Sequence, residues 1–342
     1  MPDFPARQPR VATVPAVRTL SVQWLYLFLA FSGVLPINAS DGAAIGAPVQ
    51  RSFQRRYKAT AYITLLSVPI FCRSSVGFGF AGTDEHSRGE RQSYSLRFLS
   101  GSLPERAHGL NRFGFIQENV EQTNRATVSA GYFGLMTANG EESLGEARAA
   151  LDSKTGEQTA FVAAHALINQ EKTSFTVRHL LLPSSYRGAN ADEVLARVQA
   201  EFAIPAAGPK EQNEALNGSA AGTFLDSVRQ AIVAGGDTYQ SRIVFNGKAF
   251  QFRAAKHADT KTGADLHKAG LTSSPAAVML LSGVLRNEKT NELTNFRLWF
   301  EQGAENFLPL RFEFKPKSYL RLVFDVDPAP AMDEAATGVH SR

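Results

Sequence analysis

Apolar and polar residues alternate with a period of two through the last long apolar block of the chain, residues 295–327. Phe296, Leu298 and Phe300 fall on one face of this pattern, with polar, charged or indole side chains between them. The same alternation returns twice before Asp327. Because successive side chains of a strand point to opposite faces of a sheet, a two-residue period indicates half-buried strands. The block therefore predicts three strands of an antiparallel meander.

Similar strand patterns occur upstream, separated by connections of hairpin length. The Asn246-Gly247 pair is a typical hairpin turn between two of them. Residues 160–168 are apolar on nearly all sides, so that run fits either a helix or a buried strand. The remaining predicted strands are 94–99, 114–120, 126–135, 175–182, 239–245, 249–254, 278–286 and 294–301.

Two segments carry the pattern of amphipathic helices. Residues 190–202 begin with Asn190 as a possible cap and place apolar side chains along one stripe. Residues 222–234 repeat the pattern, and Gly235-Gly236 ends it. Polar stretches at 83–90, 206–217 and 256–274 are expected to be linkers or loops. Few helices among many short strands predict a mainly β (β-rich α+β) fold, a curved antiparallel sheet or open barrel.

The first 82 residues are predicted to be a leader, because each of two segments has the basic, apolar, small order of a secretory signal. The first has Arg7, Arg10 and Arg18 before an apolar run over 22–37, and the second has basic residues at 51–58 before a run over 59–72. We prefer cleavage near Gly82, with a membrane hairpin as the alternative. The domain organisation is then a leader over 1–82, a β-rich domain over 83–327 and a disordered tail over 328–342. The segment 141–220 is a candidate helical insertion.

The distribution of charge argues against nucleic acid as a partner. The chain has 36 basic and 32 acidic residues and a formal net charge of +4. Eight of the basic and two of the acidic residues lie in the first 82 positions, which leaves 28 basic against 30 acidic residues and a charge of −2 beyond them. The basicity therefore belongs to the predicted leader, and the body has no electrostatic footprint for nucleic acid.

Cysteine usage adds little chemistry to the predicted domain. Cys72 is the single cysteine of the chain, so cleavage at Gly82 would leave no thiol and no disulfide. Lipidation of Cys72 is an alternative, but Pro69, Ile70 and Phe71 are not the small residues that a lipoprotein signal places before its cysteine.

Over residues 222–325 the order of features resembles the bacterial exported domain-of-unknown-function family DUF 3108. The features are the helix TFLDSVRQAIVAGG, the hairpin SRIVFNGKAFQFRA, the strands in FRLWFEQGAENFLPLRFEF and the final YLRLVF. Leu298-Trp299 followed by Leu308-Pro309 is the most recognisable part of this pattern. The resemblance implies an extracytoplasmic β-rich protein and supplies no catalytic residues.

No catalytic or metal-binding spacing accompanies the strands. The seven histidines include no pair at the spacing of a helical zinc site, no Gly-x-Ser-x-Gly elbow occurs, and no glycine-rich phosphate loop follows a strand. We therefore expect no cofactor and no metal. His179 in a predicted strand, close to Ser184 after Pro183, leaves a hydrolase as an alternative.

The abundance of phenylalanine, 24 residues, is the remaining signal. On an incompletely closed sheet some rings could line an apolar cleft, and plain core packing is the alternative. The candidate ligand-binding residues are Phe245, Phe250, Phe252, Phe296, Phe300, Phe312 and Phe314.

The sequence thus predicts an exported, periplasmic protein that binds an apolar small molecule, a lipid or a segment of an envelope protein. Contact with a membrane is expected only through an uncleaved leader. A purely structural envelope component is a further alternative.

Overall fold

Fifteen β-strands of the described residues join in one sheet in the computed structural model. The structure describes residues 49–65, 68–124, 126–136, 158–169, 173–183, 186, 190–203, 212–216, 221–304, 306–317 and 319–328. The strands are β1 (Val49–Leu65), β2 (Val68–Arg88), β3 (Arg91–Ser102), β4 (Phe113–Gln122), β5 (Thr127–Met136), β6 (Gln158–Ile168), β7 (Thr173–Pro183), β8 (Gln212–Leu216), β9 (Gly222–Thr223), β10 (Thr238–Phe245), β11 (Lys248–Ala258), β12 (Val278–Asn287), β13 (Leu293–Glu301), β14 (Arg311–Lys317) and β15 (Leu320–Val326). The α-helices are α1 (Ala191–Ala203), α2 (Phe224–Val233) and α3 (Thr260–Lys268), and a 3₁₀ turn spans Pro275–Ala277.

The strand order makes the sheet an extended meander joined through its terminal strands. It runs β8-β7-β6-β5-β4-β3-β2-β1-β15-β14-β13-β12-β11-β10-β9, so β1 lies in the interior and pairs with β15. Tyr57 is opposite Val326 and Ile63 is opposite Leu320 in this antiparallel pair. All pairs are antiparallel except the short β9–β10 pair. The predicted fold class, a curved antiparallel sheet or open barrel, is confirmed.

The sheet curls until its two ends overlap, and among the described strands the terminal β8 and β9 are not paired with each other. Val244 lies on the face of β10 opposite Ile243, and it packs against Ala166 of β6 and Phe175 of β7. The register from β10 through β1 to β6 shows that Ala166 and Phe175 belong to the same face of the sheet as Ile243. The inner face of one end therefore covers the outer face of the other, as in a scroll.

Two helices cover the outside of the sheet. Val194 and Val198 of α1 are completely buried against Phe161 and Leu182, which project from the outer face of β6 and β7. On the opposite side, Leu266 of α3 packs with Trp299 and neighbouring residues of β12 and β13. The apolar stripe predicted for residues 190–202 is therefore confirmed as the packing face of α1. These contacts leave the inner face to α2.

Residues 49–82, predicted to belong to a leader, form β1 and most of β2. Tyr57 and Ala59 are buried, and an added Cβ at Gly79 would lie 3.3 Å from Tyr57 Cβ and 3.1 Å from Phe324 Cδ1. The sheet therefore includes residues 49–82, which the prediction assigned to the leader. The basic, apolar, small order of this segment also suits a strand whose exposed basic residues alternate with buried ones.

Three stretches expected to be linkers or loops also contain regular structure. Thr83 to Arg88 continues β2, residues 212–216 form β8, and the region 256–274 contains the end of β11 and all of α3. The ambiguous run over 160–168 is strand β6. Where it is described, the candidate insertion 141–220 contributes β6, β7 and β8 to the main sheet and α1 to its outer face. The part of this insertion at 141–157, the first candidate signal and the tail beyond Pro328 lie outside the described residues.

Candidate functional site

The inner face of the sheet carries a continuous series of aromatic side chains. Cross-strand pairs place Phe252 opposite Leu285, Phe296 opposite Phe314, and Leu298 opposite Phe312. By the same register, all seven phenylalanines proposed from the sequence project from this inner face: Phe245, Phe250, Phe252, Phe296, Phe300, Phe312 and Phe314. The alternation read from the sequence placed Phe296 and Phe300 on one face, and the structure has both on the inner face.

A cavity of about 410 Å³ lies between this face and α2. This volume is in the range of small-molecule sites, roughly 300–1,000 Å³. Four of the seven proposed rings line it: Phe245, Phe296, Phe312 and Phe314. The other three do not line it. Phe252 and Phe300 are buried in the core cluster beneath α2, where Phe252 stacks on Phe296 at 5.9 Å between centroids, and Phe250 packs against the same cluster.

Sequence reasoning missed the opposite wall of the cavity. The residues there include Phe98, Ile116 and Phe133 on β3, β4 and β5, Phe307 in the β13–β14 connection, and Phe224 and Leu225 on α2. The strand pattern around Phe98 and the helix stripe at Phe224 were visible, but each was compatible with ordinary core packing. Their shared cavity depends on the curl of the sheet, for which the local pattern gives no signal.

Glu118 holds the start of α2 against the far side of the sheet. Its Oε1 accepts a hydrogen bond from Leu225 N at 2.8 Å, and its Oε2 accepts one from Asp226 N at 2.9 Å. Such bonds satisfy amides that a helix N-terminus leaves without partners. Burial raises the pKa of Glu118 to about 7, even though the two amides favour the carboxylate.

A second polar group ties the same helix to β3. The Tyr94 hydroxyl donates to Asp226 Oδ1 at 2.7 Å and accepts from Arg229 Nη2 at 2.7 Å. The Arg229 guanidinium also lies 4.0 Å from the centroid of the Tyr94 ring. Burial raises the pKa of Tyr94 above its usual range. Together with Glu118, these contacts fix the helical wall of the cavity from one side.

The β13–β14 connection forms another wall. The Tyr57 hydroxyl donates a hydrogen bond to Pro309 O at 2.8 Å, and the Arg55 guanidinium donates to Leu308 O. Leu308 is 5% exposed and packs with Tyr57 and Phe312. The connection therefore covers the cavity at the end of the sheet where β13 ends and β14 begins.

The charged residues of the lining turn their side chains away from the cavity. Arg97 alternates with inner-face Phe98, and its guanidinium lies over the ring of Phe80 on the outer face. Glu313 alternates with Phe312 and pairs with Arg297 at 3.3 Å and with Arg321 at 3.7 Å. The lining that the structure describes is consequently apolar and uncharged over most of its surface.

Polar groups of the lining gather where β3 ends and β13 begins. Ser100 and Thr294 lie on the inner face, and Asn246 occupies the β10–β11 turn with φ of 48°. Asn246 Oδ1 is buried, and the structure gives it no hydrogen-bond partner. Leu135, also in the lining, is 42% exposed, whereas Leu96 toward the opposite end is 2% exposed. The cavity therefore opens at the Leu135 end, with these neutral polar groups beside the opening.

The residues of the hydrolase alternative are not brought into a described site. His179 projects from the inner face of β7, opposite Val162, and Ser184 lies outside the described residues. His165, on the outer face, stacks on Tyr132 at 4.5 Å between centroids, and burial lowers its pKa. Among the described residues, no group of three or more His, Cys, Asp or Glu side chains is arranged to hold a metal ion.

Comparisons with known proteins give a distant structural likeness. No family model matches the chain, and no curated protein matches it. A solved β-barrel-like protein of domain of unknown function DUF1849 from Brucella abortus is similar over 80% of this chain and 95% of its own, with 10% identity and a TM-score of 0.36. The resemblance to DUF 3108 stays a prediction. No helix in the described ranges is long and apolar enough to cross a membrane.

Proposed function

We propose that this protein is a non-catalytic binding protein that holds an uncharged apolar chain, such as the acyl chain of a lipid, in the cavity beneath α2. The observation that carries the proposal is the cavity itself: about 410 Å³, lined by phenylalanine and aliphatic side chains. Dry apolar cavities of smaller size bind apolar molecules. The neutral polar groups beside the opening suit a ligand whose uncharged polar end stays there.

The proposal is tested by filling the cavity from two walls. Val228 of α2 and Leu298 of β13 both line it, so the double variant V228W/L298W would occupy space that a ligand needs. The matched control is L99W/L195W, because Leu99 and Leu195 pack against the core cluster on the outer face. Binding is measured by titrating each protein with the neutral fluorophore N-phenyl-1-naphthylamine and displacing it with dodecanol.

The expected result is saturable, displaceable binding to the wild type and the control, and a loss of about tenfold or more in the filled variant, a change of about 1.4 kcal/mol. Circular dichroism should show both variants folded. Absence of displaceable binding to the wild type, or equal affinity in the filled variant, would contradict the proposal.

The proposal includes export of the protein across a membrane, into the periplasm of its host. It is supported by Arg7, Arg10 and Arg18 before the apolar run at 22–37. Since β1 begins at Val49, cleavage near residue 40 would leave the described sheet whole, whereas cleavage at Gly82 would remove β1 and most of β2. Intact mass of the protein from its native host should therefore give an N-terminus between residues 38 and 49. An N-terminus near Thr83, or a retained leader, would contradict this part.

A further inference from the structure

Exposed apolar side chains are concentrated at the end of the sheet where the cavity opens. The antiparallel meander brings the β1–β2, β3–β4, β12–β13 and β14–β15 connections and the end of β5 to that end. Each of these five places presents at least one exposed large apolar residue: Ile70, Phe71, Leu110, Leu135, Leu293 and Tyr319, with exposures of 42% to 63%. Single exposed apolar residues are common on proteins, but a series around one rim marks an interaction surface.

The connections at the opposite end are different in character. The β2–β3 turn contains Arg88, Glu90 and Arg91, all exposed, and the β4–β5 turn contains Thr123 and Asn124, also exposed. Arg91 forms an ion pair with Glu121 at 2.6 Å, with both side chains more than half exposed. Val49, Val128 and Leu167 are exposed toward this end, so the open end is distinguished by a larger number of exposed apolar residues and by their position on its connections.

The most prominent part of the rim combines apolar tips with positive charge. The β1–β2 tip and the β14–β15 turn are neighbours, since Ile63 pairs with Leu320 and Thr64 N donates to Tyr319 O at 2.8 Å. The segments 60–76 and 314–322 contain four basic residues and no acidic residue. Among these basic residues, Lys315 is exposed, whereas the Arg321 guanidinium pairs with Glu313 at 3.7 Å and lies 4.3 Å from the centroid of the Tyr62 ring.

We infer that this rim, centred on Ile70, Phe71 and Tyr319, docks on the surface of a lipid bilayer that contains anionic lipids. Aliphatic and aromatic side chains flanked by basic ones are the pattern of interfacial membrane contact, in which apolar groups enter the headgroup region and cations attract anionic lipids. The absence of acidic residues from both segments supplies the charge complementarity. Leu135 belongs to both the rim and the cavity lining, so docking would place the opening against the bilayer.

The test is sedimentation of the full chain with vesicles of phosphatidylglycerol and phosphatidylcholine, and with vesicles of phosphatidylcholine alone. The variant I70S/F71S removes the apolar tip. Its matched control, V128S/L167S, removes two apolar residues that are 40% and 43% exposed on the outer face near the other end. All proteins carry the same N-terminal segment, so a difference between variants reports on the tip.

We expect I70S/F71S to bind the anionic vesicles about tenfold more weakly than the wild type, as loss of two apolar contacts implies, and the control to change less than about twofold. The charge variant R73E/K315E should remove the preference for anionic vesicles. Equal binding of I70S/F71S and wild type would overturn the inference.

A second measurement reports insertion directly. The variant F71W should gain tryptophan fluorescence that is quenched by lipids with brominated acyl chains, and V128W should gain fluorescence that is not. Unquenched emission from F71W with vesicle-bound protein would also overturn the inference. Docking does not require a bound ligand, so V228W/L298W, whose cavity is occupied by side chains, should still bind vesicles. This variant therefore distinguishes a failure of ligand binding from a failure of docking.

Discussion

Glu118 makes the stability of this fold depend on pH in an unusual direction. The carboxyl group is 2% exposed, and its pKa in the folded protein is about 7, against an ordinary value of 4.5. Because the folded pKa is raised, the folded state holds the proton more tightly than the unfolded chain. The resulting contribution is fully present below pH about 4.5 and is lost as pH rises to about 7.

The size of the effect follows from the separation of the two pKa values. A difference of about 2.5 units corresponds to about 3 kcal/mol, since each unit is worth about 1.4 kcal/mol. Glu118→Gln removes the titration. It also leaves only one oxygen for the amides of Leu225 and Asp226, which should cost about 1–3 kcal/mol at every pH. Loss of the titration changes how the free energy of unfolding varies with pH, whereas loss of a hydrogen bond lowers it equally at every pH.

The assay is urea unfolding followed by circular dichroism at intervals from pH 4.5 to 7.5. The fall in stability across this range should be smaller in Glu118→Gln than in wild type by about 3 kcal/mol. The control is Gln122→Ala, an exposed position on the same strand without a titratable group, which should keep the wild-type dependence of stability on pH. Parallel curves for wild type and Glu118→Gln would refute the reasoning, because they would mean that Glu118 has the same pKa folded and unfolded.

Three further predictions concern packing, a buried hydrogen bond and ligand charge. Gly79→Val should destabilise the protein by about 1–3 kcal/mol, because a Cβ there would already lie 3.1 Å from Phe324 Cδ1. The control Gly235→Val, at a position with open space, should lower the free energy of unfolding by less than about 0.5 kcal/mol. Urea unfolding checks both, and equal effects would contradict the packing. Trp299→Phe should lower the free energy of unfolding by about 1 kcal/mol in the same assay, since Trp299 Nε1 donates a hydrogen bond to Asp259 Oδ2 at 2.9 Å. An unchanged urea midpoint would mean that this hydrogen bond contributes nothing to stability. At pH 8, dodecanol should displace the cavity probe at a concentration at least about tenfold lower than dodecanoate. The polar groups of the lining beside the opening, Ser100, Thr294 and Asn246, are neutral, so they give a partly desolvated carboxylate no charged partner. Equal potency would contradict an uncharged site.

The C-terminal hairpins could be predicted because their local signals agree with one another. Alternation fixed the inner face, and Asn246-Gly247 gave the turn, where Gly247 has φ of 63°. The helix α3 was missed because it is polar and buries only Gly263 and Leu266. In α2, the apolar pattern of residues 222–234 does not match burial at every position, since Val233 is 57% exposed and Ser227 is buried. Local periodicity could not predict α3 or the buried positions of α2, since both depend on contacts with residues that are distant in the sequence.

The candidate site shows the same division between local and non-local information. The seven proposed phenylalanines share the inner face because that property follows from strand alternation. Which of them line the cavity follows from the position of α2, set by Glu118 more than 100 positions earlier in the chain. β1 was misread because basic residues before an apolar run fit two different local structures. Its pairing with β15 is a contact between the two ends of the domain, which no window of sequence contains.

The most direct test of cavity binding is native mass spectrometry of the protein purified from its native host, compared with its mass under denaturing conditions. We expect an added mass of lipid size, one per protein chain, under native conditions only. The adduct should be present in L99W/L195W and absent from V228W/L298W. Identical native and denatured masses for the wild type, or an adduct that persists in the cavity-filled variant, would contradict the central claim.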